Sequence, residues 1–453
     1  MVSVLSRLGF PEGAAVRYTV FAREFLWIAL GKLLTLLGGA VGVRLLTELL
    51  EPLEYGHLAL GLTATALIGQ AVFGPMSNGT ARFYAPARQA GRLGTHLPVV
   101  RHMAAAATGG LAFLGCLLTA GLWLAGHTQW IGLCVAALCL SLLSGINSIL
   151  SALQNAARNR AVVALHHAVA SWGRYLTAAV LVVALGSTAQ VAMWGYAVAM
   201  LLVVVSQTLF VRRIVRSSAS RIKPGAEGIR EWRRQILDYA WPFATWGVVG
   251  WLALSSDRYA LQVFASTYDV GVYAVLFQLG YAPVSQLGAL TTQLLAPIYF
   301  ERAGDASDPA RVLRVFGLGW NATLLAILGT TMAFVFALLT HRSVFSLLVA
   351  EEYRHASGLL PGMVLAAGLV ASAHICGIAL HSQSTIEFLT VPETVSKVIG
   401  VLTMVGGAAW GGIRGVVIGQ VVYASVRLAW ILLLFHRQQT QAHAHLSATG
   451  VPE

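Results

Sequence analysis

Apolar runs of twenty residues or more recur along this chain from end to end, and no other feature narrows its fold so far. A run of that length matches the roughly 20 residues that an α-helix needs to cross the hydrocarbon core of a bilayer. Of the 453 residues, 57% are hydrophobic and only 11% charged, whereas a soluble domain carries about a quarter charged residues. The expected fold is therefore an all-α polytopic membrane protein. Apolar runs and polar breaks predict about 12 transmembrane helices, at 22–49, 56–79, 100–125, 130–153, 161–185, 189–211, 237–264, 270–298, 315–340, 358–381, 386–409 and 413–436. The opening segment lacks the short apolar core and small-residue cleavage site of a signal peptide, so the first span is expected to act as an uncleaved insertion signal.

The net charge of +12 would suggest nucleic acid in a soluble protein. Its placement suggests topology instead. With the N-terminus inside, one side of the membrane carries 21 basic residues, among them Arg7, Arg82, Arg101, Arg158, Arg302, Arg437 and eight in VRRIVRSSASRIKPGAEGIREWRR. The other side carries only Arg342, Arg354 and Arg414. That bias obeys the positive-inside rule and predicts N-in/C-in, with no nucleic-acid partner. The basic stretch also divides the chain. We expect a six-helix lobe over 1–211, a basic cytoplasmic linker over 212–236, a second six-helix lobe over 237–436, and a cytoplasmic tail at 437–453 that is polar and outside any helix. The lobes echo each other. RLLTELLEPLEYGHLAL (44–60) and RYALQVFASTYDVGVYAV (258–275) each place an Arg late in a helix, then an acid, then Gly56 or Gly271 at the start of the next. Two halves that both begin inside would form a parallel repeat.

Ionisable residues inside a span cost several kcal/mol unless they pair or face water, which makes each a candidate for function. By this segmentation they are Lys32, Arg44, Glu48, Arg174, Asp257, Arg258, Glu393, Lys397 and Arg427. Arg44 and Arg258 lie close enough to the outer ends of their spans to snorkel; Lys32, Arg174 and Arg427 lie nearer mid-span and are expected to face a cavity. Asp257 is the only deep acid. Neighbours on a helix point about 100° apart, so it is not expected to pair with Arg258. It would neutralise an Arg or Lys of another helix or bind a coupling cation. Bases outnumber acids, and a water-filled cavity so lined suits an anionic solute, with phosphate or diphosphate the best match to Arg.

Short motifs exclude more than they assign. There is no GxSxG, HExxH or Walker sequence, and no large outer loop carrying paired acids, so an enzyme is not expected. The four cysteines lie in apolar runs without ligand spacing, so no metal is expected. Small-residue runs, GGAVG at 38–42 and GGIRGVVIG at 411–419, predict close helix packing.

Degenerate patterns spread along the chain carry a family resemblance. They are LLEPLEYGHLAL (49–60), SNGTARFYA (77–85), LSALQNAARNR (150–160), WPFATWGVVGWLALSSDRYAL (241–261), DVGVYAV (269–275) and EEYRHASGLLPGMVLA (351–366). In order and spacing they resemble the polysaccharide-transporter (O-antigen/exopolysaccharide flippase) family of the multidrug/oligosaccharidyl-lipid/polysaccharide (MOP) exporter superfamily. The resemblance implies two six-helix lobes enclosing a cavity that opens to either side in turn. It implies a flippase that moves an undecaprenyl-diphosphate-linked oligosaccharide between leaflets of a bacterial plasma (inner) membrane. Its basic cavity residues would be Lys32, Arg44, Arg174 and Arg258, with Lys397 and Arg427 as additions. It further implies no cofactor, coupling to a Na⁺ or H⁺ gradient or to membrane potential through Asp257, a monomer, and membrane lipids and a polysaccharide polymerase as partners. Three alternatives stand beside it: a multidrug cation antiporter of the same fold, an enzyme, and a non-transporting scaffold of a polysaccharide-synthesis complex.

Overall fold

The computed structural model describes residues 12–217, 226–304, 308–383 and 387–449, and every regular element among them is helical. Arg7, Arg221 and Lys223, named above, lie outside the described residues. The helices are α1 (Glu12–Leu49), α2 (Pro52–Gln89), α3 (Leu93–Leu124), α4 (Ile131–Ala156), α5 (Arg160–Leu185), α6 (Ala189–Ser217), α7 (Ala226–Phe264), α8 (Thr267–Ala303), α9 (Pro309–Leu348) and α10 (Leu360–His381). The last segment, Glu387–Thr449, breaks at Gly411 and Gly412 into α11 (387–410) and α12 (413–449), with Gly412 at φ 54°. That left-handed conformation favours glycine.

These twelve rods follow the twelve predicted spans in order. Ten helical stretches are long and apolar enough to cross a membrane by length and composition, with α11 and α12 counted as one. α7 is outside that set, because Tyr239, Trp241, Pro242, Trp246, Trp251 and its Gly and Ser residues dilute the aliphatic side chains of its charge-free stretch. One expectation is corrected. The tail is not outside a helix up to residue 449, since α12 continues through Thr449. QQTQAHAHLSA contains no Pro or Gly to stop it, and Gln and Ala sustain a helix.

The chain divides into two compact units, one formed by residues up to Leu49 with Leu60–Trp251, the other by Leu50–Ala59 with Leu252–Glu453. Each unit therefore takes a piece of chain from the other half of the sequence. In the first unit, Phe73, Val99, Ile149, Trp232 and Ile236 share one core cluster, which ties α7 to α2, α3 and α4. The absent side chains of Gly79 and Gly247 let α7 lie on α2: a Cβ at Gly247 would sit 2.4 Å from the Gln70 carbonyl oxygen. The Trp251 indole closes this seam by donating to the Thr63 carbonyl at 2.8 Å. α1 packs on α5 through the GGAVG run, with Trp172 donating to the Leu34 carbonyl at 2.9 Å.

In the second unit the echo between the two halves becomes a physical crossing. A Cβ at Gly56 would lie 2.0 Å from the Thr267 carbonyl oxygen, and one at Gly271 would lie 1.9 Å from that of Pro52. The first turns of α2 and α8 thus meet backbone to backbone. Tyr353 caps the crossing by donating to the Leu50 carbonyl at 2.7 Å. Tyr299, Phe316, Cys376 and Phe435 belong to one core cluster within this unit. α11 and α12 meet where Gly407 and Gly415 touch through their backbones.

A second echo was not visible as a pattern in the sequence. α2 widens into a π turn over Gly69–Phe73, just before Pro75, and α8 does the same over Phe277–Tyr281, just before Pro283. In each, the N–H following the turn bonds five residues back, Gly74 to Gly69 and Ala282 to Phe277. Proline lacks an N–H and crowds the carbonyl four residues earlier. One extra residue in the turn relieves that clash, and such turns frequently mark functional positions.

Candidate functional site: charges within the spans

In the first unit, α5 carries Arg174 and α1 carries Lys32 and Arg44. Arg174 is half-buried, and its guanidinium donates to the Tyr175 hydroxyl at 2.9 Å. It also lies 4.6 Å from the centroid of the Tyr175 ring and 5.8 Å from that of Tyr196. The two rings meet edge to face at 5.7 Å. Arg174 is thus steadied in part by π-faces and a hydroxyl, which attract a cation. The arrangement begins on α1, because Tyr175 rests where Gly42 has no side chain, and a Cβ there would fall 2.2 Å from its ring. Arg44 pairs with Glu48 one turn on at 2.6 Å, with both side chains partly exposed. Lys32 is half-buried.

In the second unit, Asp257 on α7 is 1% exposed. Tyr273 on α8 donates to its Oδ2 at 2.6 Å, and Gln420 on α12 donates to the same oxygen at 3.3 Å and to the Tyr273 hydroxyl. Its Oδ1 accepts from the backbone N–H of Arg258 at 2.7 Å. The Arg258 Nη1 stands 3.7 Å from that Oδ1, and the guanidinium lies 4.6 Å from the centroid of Phe277. Phe277 opens the π turn of α8 and stacks on Tyr281 at 4.8 Å. The turn therefore aims an aromatic ladder at the Arg258 head.

These contacts correct the expectation for Asp257. It does meet Arg258, because its short side chain folds onto the next backbone amide and the long Arg chain bends back. The angle between Cβ directions does not limit so flexible a pair. Its partners on other helices are a tyrosine and a glutamine, not an Arg or Lys.

Arg427 on α12 is also buried, and it bonds Glu393 on α11 at 2.5 Å. Lys397, one turn beyond Glu393, is half-buried. The structure thus gathers Asp257 with Arg258, and Arg427 with Glu393, inside the second unit. Lys32, Arg44 and Arg174 belong to the first. Sequence reasoning missed Tyr273, Gln420 and the pairing role of Glu393. A Tyr or Gln in an apolar run is a weak signal by itself, although Tyr273 stands inside the quoted motif DVGVYAV. Among the described residues no cluster of His, Cys, Asp or Glu could hold a metal ion.

No family model matches the chain, and neither does any curated protein. Solved structures do match. One is an inward-facing multidrug resistance MATE family transporter of the MOP superfamily, 16% identical with a TM-score of 0.63 over 90% of this chain and 96% of that one. Another is the lipid II flippase MurJ in an inward closed conformation, 10% identical with a TM-score of 0.63 over 95% and 94%. An outward-facing MATE transporter matches at 14% identity and a TM-score of 0.54, over 91% and 96%. Identities this low show the fold alone. The chain has the all-helical fold shared by these MATE transporters and MurJ, and it is a multi-pass membrane protein by its apolar helices.

Proposed function

We propose that this protein is a flippase for a lipid-linked anionic glycan, moving an undecaprenyl-diphosphate-linked oligosaccharide from the inner to the outer leaflet of a bacterial plasma membrane for polysaccharide or O-antigen assembly. One observation carries the reading. The acids Asp257 and Glu393 are tied up in internal hydrogen bonds, one to Tyr273, Gln420 and Arg258, the other to Arg427. Arg174 and Arg258 instead present guanidinium groups against aromatic faces. Bound diphosphate would gain charge-assisted, bidentate hydrogen bonds from such groups. A cation exporter needs available carboxylates, and the buried Asp257 offers little. In this reading Lys32 and Lys397 add to the positive potential, and Arg44 and Arg427 add to it only when released from Glu48 and Glu393. Asp257, once released from Tyr273 and Gln420, is the candidate for coupling to a Na⁺ or H⁺ gradient or to voltage.

The test uses liposomes holding fluorescent undecaprenyl-diphosphate glycan and the purified protein. Wild type should expose the label to an external quencher, and Arg174→Ala should slow this at least tenfold at equal incorporation. An unchanged rate in Arg174→Ala would remove the cationic mechanism. Gradient-driven efflux of a cationic dye, without glycan flipping, would replace the flippase by a multidrug antiporter.

A further inference from the structure

α3 is the least embedded span of the first unit: none of its most apolar eighteen-residue window is buried. Toward its N-terminal end it stands off from α4 and α6 and leaves a cavity of about 570 Å³. Its walls are aliphatic, with Leu97, Ile149, Leu153 and Val211 among them. Arg101 on α3 and Arg212 on α6 also line it. Both arginines are exposed, and among the described residues neither forms an ion pair. Arg213, beside Arg212, is instead turned onto the Phe210 ring at 5.3 Å. The one hydroxyl in the wall, Thr208, is already bonded to the Val204 carbonyl at 2.7 Å.

The cleft is open on one side, and an apolar surface within a span is covered by hydrocarbon in the bilayer. Two exposed arginines in its lining suit a hydrocarbon with a negative group at one end. The arginine-rich end of the bundle is the cytoplasmic one by the positive-inside rule, and that leaflet's abundant anions are phospholipids. Basic recesses between spans on that side suit such head groups. We propose that the cleft between α3, α4 and α6 is a binding site for an anionic glycerophospholipid, its phosphate between Arg101 and Arg212 and an acyl chain along Leu97, Ile149 and Leu153. The site does not depend on what the protein transports.

Native mass spectrometry of the full-length protein, titrated with phosphatidylglycerol or phosphatidylcholine, tests this. Phosphatidylglycerol should leave a retained adduct that phosphatidylcholine does not. Two surface arginines near anionic lipid contribute about 1 kcal/mol each, so Arg101→Gln/Arg212→Gln should weaken binding about thirtyfold. Ala104→Phe, which fills the cavity without touching charge, should lower occupancy as well, while Arg302→Gln/Arg314→Gln on the second unit should not. Equal binding of the two lipids, an unaffected Arg101/Arg212 variant, or equal loss in the Arg302/Arg314 control would overturn the proposal. So would displacement of phosphatidylglycerol by lower concentrations of undecaprenyl phosphate than of phosphatidylglycerol itself, because the occupant would then be the cargo's carrier.

Discussion

A charge in an apolar interior persists only where something repays its lost hydration, and among the described residues the buried Asp257 and Arg427 are repaid in different ways. Asp257 receives neutral donors from three positions, two side chains and one backbone amide, with the Arg258 guanidinium farther off at 3.7 Å. Arg427 has a carboxylate opposite it. Removing one member of a buried pair leaves the other uncompensated, at about 3–5 kcal/mol. Glu393 keeps some access to water, with 29% of its side chain exposed, so Glu393→Ala should fall near the lower end, about 3 kcal/mol. Replacing the pair together, Glu393→Leu with Arg427→Met, should restore most of that stability. Thermal denaturation in detergent measures both, and a double variant as unstable as the single would show that Arg427 is not held chiefly by Glu393. The costly residues themselves were legible in the sequence, since a charge in an apolar run stands out. Their partners were not. Asp257 meets a side chain 163 positions away, and no local spacing reports such a meeting.

Among the helices, the crossing of α2 and α8 is as close as that of α11 and α12. Backbone touches backbone at Gly56 and Gly271, so an added methyl has no flexible neighbour to push aside. Overpacking a rigid contact costs about 1–3 kcal/mol, and Gly271→Ala should approach the upper limit. Gly250→Ala, where a Cβ meets nothing within 4 Å, should be close to neutral in the same assay. Equal melting temperatures for the two variants would contradict the crossing. At this scale the sequence was most informative. The twelve rods were readable because each must present an apolar exterior over a fixed length, and the Gly56/Gly271 echo marked two positions that meet. The π turns were not readable, although Pro75 and Pro283 were. A proline announces that a hydrogen bond is lost, but not whether the helix kinks or widens.

For the molecule as a whole, the sequence suggested a cut at the basic stretch after α6. The compact units are drawn elsewhere: 226–251 packs with the first unit and 50–59 with the second. Hydropathy marks where a segment enters lipid but carries no information about which helices it packs against. It follows that residues 1–217 should not accumulate as a stable fragment, since they lack Trp232 and Ile236 of their own core. Co-expression with 226–453 should rescue both pieces, and co-purification from membranes would show it. Stable accumulation of 1–217 alone would mean that α7 is dispensable to that core.

The exchanged segments also set a timetable for biosynthesis. Six helices can leave the ribosome with the first unit still incomplete, because its last piece ends at Trp251. At roughly 5–20 residues per second, the seam on α2 that receives α7 waits on the order of ten to forty seconds in the membrane. Residues 50–59 wait a little longer, until α8 arrives to cross them at Gly56. A nascent chain stalled before α7 emerges would display two glycine-lined backbone surfaces with nothing against them. Those surfaces give membrane proteases and chaperones a way to distinguish an unfinished chain from a complete one.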